Sequence, residues 1–416
     1  MDVRISAVTK RCDNETIGDI IRETKVISGQ AAGVCYSAQN YFESSAASDE
    51  KSLSRYETTV GNGHHSIAGH SHFTLVLSNI PKLTAMILNS FGVYNTSEKS
   101  GRYTIMTEGE TDESNRNMIL YNKWQKIFKD LIIHFYPDTA DTHGKQSCLA
   151  DKLAIENARY MLSVLAPYTS MEYTVSYRDL CYIIDMCRRF MERYDANKPY
   201  TQGITDSVYR CVKELHDNLI DTGLYDPNLY DIYGREIEFY PHFDEPNVFD
   251  AEEHIGETYL IKYSCSLVDL AQEQRHRPIK YSMSFCTESY YVPEILRRAT
   301  DCGLGNYVNE WLNDLISIGD TIPNATLVLI AERGCLDDFM KKCAERLCSR
   351  VQYETMKTVS DNFRKFTAHY NAGLGSPYFN SLVERHYKDG KVLPKCANRK
   401  CVESGCMCKN ALDRIV

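Results

Sequence analysis

The stretch GHHSIAGHSHFTLVLSNIPKLTAMILNSFG, residues 63–92, changes its period midway. Over 72–80 (HFTLVLSNI) polar and apolar residues alternate, the pattern of a half-buried strand. From 81 onward, PKLTAMILNSFG carries apolar residues at helical spacing. A loop follows with SEKSGRY at 97–103. The same order recurs downstream: YLIKYSCSL (259–267) repeats the strand, and VDLAQEQRHR (268–277) repeats the helix and ends in a polar cluster. Phe73 and Tyr259 are 186 residues apart, Ser90 and Arg275 185, so the register holds across the module. A steady internal repeat sets the architecture before any single motif does.

Each half continues with helices. NMILYNKWQKIFKDLIIHFY (117–136), IENARYMLSVLAP (155–167) and YRDLCYIIDMCRRFMERY (177–194) follow in the first. In the second, VPEILRRATDCGLGNYVNEWLNDLISIG (292–319) leads to NATLVLIAERGC and a further helix through Arg346. Residues 221–252, rich in Pro, Gly, Asp and Tyr and without periodicity, read as the linker. The sequence therefore predicts a half over 1–220, a linker over 221–252, a second half over 253–390 and a Cys-rich tail over 391–416. The expected fold class is α+β, with each half a mainly antiparallel sheet packed with helices and the halves forming a pseudo-dimer.

With 416 residues, 43% hydrophobic and 25% charged, the chain has room for two cores of ordinary size. No run is long and apolar enough to span a bilayer, and the start lacks the apolar core of a secretory signal, so a cytoplasmic protein without membrane association is expected. A net charge of −9 argues against a nucleic-acid polymer as partner. Most of the sixteen cysteines stand singly in apolar segments, among them Cys181, Cys187, Cys265 and Cys343, and read as small buried hydrophobes in a reducing compartment. Cys396, Cys401, Cys406 and Cys408 are spaced unlike a zinc knuckle, and no metal is assigned to them.

The run GHHSIAGHSHFTL (63–75), with SEKSGRY after it, AAGVCYS (31–37) and NARYML (157–162), resembles the flavin-dependent thymidylate synthases called ThyX. In the second half RHR (275–277) is similar to that family's signature triplet, and ERLCSRVQYE (345–354) to its late Arg-containing helix. The resemblance implies reductive methylation of dUMP to dTMP with FAD, methylenetetrahydrofolate and NADPH, at a site shared between subunits of a tetramer. The first half keeps the family's Glu98, Ser100, Gly101, Arg102 and Arg159, but has Ile87 and Ser90-Phe91-Gly92 where the family has its Gln and triplet, and Cys187 at the late Arg position. The second half keeps Gln272, Arg275, His276, Arg277 and Arg346, but has Met283, Phe285 and Gly319 where the first has Glu98, Ser100 and Arg159. The losses are complementary, which predicts one composite nucleotide site per chain and a homodimer that rebuilds a pseudo-tetramer.

The resemblance gives Gln272, Arg275, Glu98, Ser100, Gly101, Arg102, Arg159 and Arg346 to the substrate. Guanidiniums suit a phosphate dianion because they stay charged and present paired donors. Arg346, with Ser100, is the catalytic candidate, since negative charge must build on the pyrimidine as carbon 5 is activated. Ser66, Arg178, Glu98, Arg275, His276 and Arg277 fall to FAD. The late-helix Asn-x-Arg stands here as Ser176-Tyr177-Arg178, and a second Asn as Tyr182, so the flavin contacts are altered. The bland readings are a solvated helix end for RHR, a turn residue for Ser100, and a structural hydrogen bond for His64 and His65. A related one-carbon reaction on another pyrimidine nucleotide, and a non-catalytic nucleotide-binding protein, stay open as alternatives.

Overall fold

The computed structural model describes residues 15–36, 47–101, 112–194, 202–240, 258–394 and 415–416, apart from 143, 145–146, 233, 236, 238, 349 and 374. Arg102, the four tail cysteines Cys396, Cys401, Cys406 and Cys408, and linker positions 241–252 lie outside them. Among the described residues no helix is long and apolar enough to cross a membrane, and no group of three or more His, Cys, Asp or Glu stands together as a metal site.

The chain opens with α1 (Ile17–Tyr36) and α2 (Asp49–Gly61). Gly29 lets them meet backbone to backbone, for a Cβ there would fall 1.9 Å from the Ser52 carbonyl oxygen. A 3-10 turn (His65–Gly69) then leads into β1 (His72–Ile80), α3 (Lys82–Asn89) and β2 (Asn95–Glu98). The long α4 (Asp112–Phe135) and α5 (Leu149–Ala158) precede a second 3-10 turn (Arg159–Met161), β3 (Thr169–Ser176), α6 (Tyr177–Arg193) and α7 (Gln202–Asp221). β3 lies between β1 and β2, antiparallel to both, with Phe73 opposite Val175.

After the short β4 (Phe239–Tyr240), β5 (Thr258–Ser266), α8 (Leu267–Glu273), β6 (Lys280–Tyr290), α9 (Glu294–Asp301) and α10 (Tyr307–Ser317) follow. A 3-10 turn (Gly319–Thr321) leads to β7 (Thr326–Cys335), α11 (Leu336–Arg346), α12 (Tyr353–Asn371) and α13 (Pro377–Val383). In this sheet β7 lies between β5 and β6, again antiparallel to both, with Tyr259 opposite Gly334. β4 adds a parallel edge to β6 at Met283–Ser284. The helix predicted over 345–354 is two helices: α11 ends at Arg346, and α12 starts at Tyr353.

The strand-to-helix junctions have local causes. Ser176 and Ser266 each accept a hydrogen bond from the backbone N–H three residues on, Asp179 and Asp269, both at 3.1 Å. Pro81, whose fixed φ needs no N–H partner, precedes α3.

Beside a cluster built only from the C-terminal region, around Phe339, Phe363 and Phe366, two clusters draw on both ends of the chain. One cluster joins α3, β3 and α6 to Cys265, Leu270, Met283, Phe285, Val328 and Ile330. A second joins α4 and α5 to α9 and α10, where Trp124 meets Trp311 edge-on at 4.8 Å. Between these clusters Ser163 bridges antiparallel to Pro323, flanked by Val164 N–H to the Ile322 carbonyl (3.1 Å) and Asn324 N–H to the Leu162 carbonyl (2.8 Å). Residues 221–237, aperiodic in sequence, are also packed. Leu224, Leu229 and Ile237 are buried, Asp226 pairs with Lys25 at 2.9 Å, and Asp231 pairs with Arg189 at 3.1 Å.

Candidate functional site

A cavity of about 150 Å³ opens where the first half's β2 end meets α8 and α11. From the first half it is lined by Lys82, Glu98, Lys99, Ser100, Gly101, Arg159, Leu162, Tyr168 and Thr169. From the second come Val268, Ala271, Gln272, Arg275, Asn324 and Arg346. Glu98, Ser100, Gly101, Arg159, Gln272, Arg275 and Arg346, singled out from sequence and separated by up to 248 positions, thus share one cavity.

Local structure explains each placement. Glu98 closes β2 and Gly101 turns the chain beyond it. Arg159 starts the 3-10 turn that follows α5, Gln272 sits in the last turn of α8, and Arg346 is the final residue of α11. Arg275, His276 and Arg277 come just after α8, in the turn before β6.

The lining carries five cationic side chains, Lys82, Lys99, Arg159, Arg275 and Arg346, against one carboxylate, Glu98. That carboxylate is already engaged, receiving Lys82 Nζ at 2.5 Å and Thr169 Oγ1 at 3.4 Å. In a chain of net charge −9 this is a local reversal of sign, and partly buried guanidiniums attract an anion far more strongly than exposed ones. Arg346 donates to the Gln272 carbonyl at 2.9 Å, and its buried Nε has no partner among the described residues. Burial, with Arg275 nearby, pulls its pKa below the ordinary guanidinium value. Asn324 donates to the Arg159 carbonyl at 3.2 Å and to Tyr168 Oη at 3.0 Å, holding the first-half wall to the second. Lys82, Tyr168 and Asn324 were not read from sequence. Lysine in a first helical turn and a polar residue before a strand carry no local signal of a site.

The flavin candidates are distributed differently. Arg277 lines a neighbouring cavity of about 210 Å³ with Arg235, Lys280 and Arg333, and no carboxylate lines it. Phe91, Met186 and Ile279 give it apolar wall. Gln274 Oε1 and Tyr281 Oη, both on residues that line it, are buried with no partner among the described residues. Arg277 itself reaches the first half, donating to the Tyr94 carbonyl and, at 2.8 Å, to Asn95 Oδ1. Arg235 and Arg178 both lie against the Tyr182 ring, at 5.2 and 5.8 Å from its centre. Arg178 is also paired with Asp179 at 3.1 Å. Ser66 is exposed on the 3-10 turn whose Gly69 approaches Arg178. His276 lines neither cavity. Burial, with Arg346 and Lys342 close by, pushes its pKa down to about 3. His65 is buried and hydrogen-bonded through Nδ1 to Tyr182 Oη at 2.8 Å.

Four of the described cysteines are poor nucleophiles. Cys181, Cys187, Cys265 and Cys343 are buried, and burial raises each thiol pKa.

No curated protein matches the chain. The family model of the thymidylate synthase complementing proteins matches residues 19–193, from α1 to the end of α6. That span holds Glu98, Ser100, Gly101 and Arg159, four of the cavity's seven candidate residues, and over it, fewer than half of its residues, the chain matches this family of flavin-dependent thymidylate synthases.

Proposed function

We propose that this chain methylates dUMP reductively to dTMP, using FAD, methylenetetrahydrofolate and NADPH, at one composite site between its halves. The observation that carries the reading is the convergence of Glu98, Ser100, Gly101 and Arg159 with Gln272, Arg275 and Arg346 around one cation-rich cavity. A tandem pseudo-dimer is supported by two sheets with the same strand order, outer, middle, inner by sequence as first, third, second. It is supported again by the bridge between Ser163 and Pro323, which are 160 residues apart, the step that separates Arg159 from Gly319. Two chains joined through equivalent surfaces would complete a pseudo-tetramer.

In this reading Arg159 and Arg275 hold the phosphate, with the Gly101 backbone and Ser100 as further donors. Arg346 stands against the pyrimidine and stabilises negative charge as it builds there. Its buried, unpartnered Nε is a donor already desolvated, so no reorganisation is needed at the moment of reaction. Pure nucleotide binding would not need that group.

The donor set of the second cavity fits a flavin dinucleotide. Arg235, Arg277, Lys280 and Arg333 would hold its phosphates, and the orphaned Gln274 acceptor suits a ring N–H. When bound, FAD would supply the hydride, while the protein binds, orients and excludes water. The chain's own contribution is to place the nucleotide beside that cavity, since Arg275 and Arg277 line the two and are two residues apart.

The test is anaerobic turnover. Purified chain reconstituted with FAD should bleach with NADPH and convert dUMP to dTMP when methylenetetrahydrofolate is added. Titration should give one dUMP per chain. No flavin binding even with dUMP present, or two nucleotides per chain, contradicts the reading.

A further inference from the structure

We propose that Gln352 is a positioning residue that ties the two halves' anion donors into one site, an inference that rests on the composite-pocket reading above. Gln352 precedes α12, is 2% exposed and does not line the cavity. Its Oε1 accepts from Gln272 Nε2 at 2.7 Å and also from Arg159 Nη2. One oxygen therefore fixes a donor residue of each half.

The amide's orientation follows from chemistry. A guanidinium only donates, so the edge facing Arg159 is the carbonyl. The Gln352 Nε2 then faces Tyr160 Oη, to which it donates at 2.6 Å. Tyr160 in turn donates to Glu354 Oε2 at 2.5 Å. Glu354 receives Ser266 N–H at 2.8 Å and Ser266 Oγ at 2.7 Å. Ser266 caps α8, the helix that carries Gln272. The chain of bonds closes on itself: Ser266, Glu354, Tyr160, Gln352, Gln272 and back along α8. Ser266, Glu354, Tyr160 and Gln352 are all buried, where each bond is shielded from water and each loss leaves an orphan.

Arg159 enters this ring as a neighbour of Tyr160. Its remaining N–H groups, and those of Gln272, belong to residues that line the cavity. Long polar side chains held at one atom lose little further freedom when an anion arrives, which is preorganisation. Without the Gln352 oxygen, Arg159 and Gln272 each lose a tether, and more of their ordering falls to the ligand.

The test titrates dUMP, dCMP and inorganic phosphate into the full chain by calorimetry, with the thermal midpoint recorded for every variant. Gln352→Met keeps length and removes both polar atoms. It should weaken dUMP binding by about tenfold, the order expected for losing a charged hydrogen bond. In an Arg159→Ala background the same change should cost less than half that factor on a logarithmic scale, because the partner is gone. Gln352→Glu should bind more weakly still and recover as pH falls, since its carboxylate competes with phosphate for Arg159. Tyr160→Phe, which releases only the support of the amide, should shift affinity the same way by roughly threefold. If Gln352→Met does not fold, these last two variants decide. Unchanged affinity in the variants at an unchanged midpoint, or equal losses with and without Arg159, overturns the inference alone. A parent chain that binds none of the three ligands overturns both it and the reading beneath it.

Discussion

At the cavity between the halves, Glu98, Ser100, Arg159, Gln272, Arg275 and Arg346 face one space; at the place the proposed repeat makes its counterpart, the corresponding residues are Met283, Phe285, Gly319, Ile87, Ser90 and Cys187. Ile87, Cys187, Met283 and Phe285 are 0, 0, 2 and 1% exposed and belong to the same hydrophobic cluster. A Cβ at Gly319 would lie 2.5 Å from Tyr290 Oη, so a longer side chain there requires the tyrosine to shift. The backbone of β4, from the joining segment, pairs alongside Met283 and Ser284. If the proposed repeat holds, one of two related places is polar and hollow, and at the other Ile87, Cys187, Met283 and Phe285 are filled core while Ser90 borders the neighbouring cavity. Random decay would have left buried polar groups stranded, each costing about 1–3 kcal/mol. Close-packed apolar side chains at these positions contribute roughly 1.5–3 kcal/mol each by burial.

The contrast extends beneath the helices. Under α8, Lys342 is buried between Glu273 and Glu332, 2.7 Å from the latter. The proposed repeat matches these three positions with Ile183, Leu88 and Tyr173, all buried in the first cluster. The half that supplies Gln272 and Arg275 carries charge where its proposed counterpart carries uncharged side chains.

The largest expected effect tests the filled place. Phe285→Ala should cost about 3–5 kcal/mol of stability, as for other buried Phe truncations. At temperatures where the variant is folded, its dUMP affinity should match the parent. Urea denaturation and calorimetry measure the two. A fall in affinity without loss of stability would show that this place still binds nucleotide.

Next comes the pair Arg346 and Cys187, 159 residues apart and matched by the proposed repeat. Arg346→Ala should lower the rate of dTMP formation by roughly 10²–10³, the effect of deleting one preorganised donor, while flavin binding stays intact. Cys187→Ala should leave the rate unchanged. Single-turnover kinetics on both variants checks this, and the reverse outcome would exchange the roles of the two places.

These positions also show what was legible in the sequence. The strand period of 72–80 and 259–267 and the helical spacing of 177–193 follow from which face each residue buries, so β1, β5 and α6 could be read directly. The polar members of the cavity could be named only through the resemblance of SEKSGRY, NARYML, RHR and ERLCSRVQYE to family motifs, not from local periodicity. The packing of 221–237 could not, for Asp226 and Asp231 look like loop residues until Lys25 and Arg189 are brought to them from other elements. Gln352 and Lys342 were equally silent. A glutamine before a helix and a lysine within one are ordinary surface residues, and only the tertiary fold makes them dry.

A smaller effect tests the shared ownership of the hollow place. Arg159→Ala and Arg275→Ala should each weaken dUMP binding by about 1.5–3 kcal/mol, ten- to a hundredfold. The double variant should lose less than the sum, since both residues act on one small anion. Strictly additive losses in a calorimetric cycle would mean two separate sites and would dissolve the comparison.

The smallest expected effect is none, and it concerns His276, whose counterpart in the proposed repeat is Phe91. Burial and the nearby Arg346 and Lys342 push the imidazole pKa down to about 3. A histidine with that value is neutral throughout the range in which enzymes of this class are assayed, so it differs from Phe91 in shape and polarity but not in charge. The sign follows for stability: the unfolded chain protonates this histidine below its ordinary value near 6.5 and the folded chain does not. Its contribution is therefore destabilising as pH falls from about 6.5 toward 3, and absent above that range. For binding, dUMP affinity plotted against pH between about 5.5 and 8.5 should bend only with the ligand's own phosphate, whose second ionisation lies near 6. His276→Asn should give a curve of the same shape, displaced at most by a constant factor. A bend near 6.5 that disappears in His276→Asn would mean the imidazole is charged beside the anion, and that the polar half of the molecule gained a sixth cation where the apolar half kept a ring.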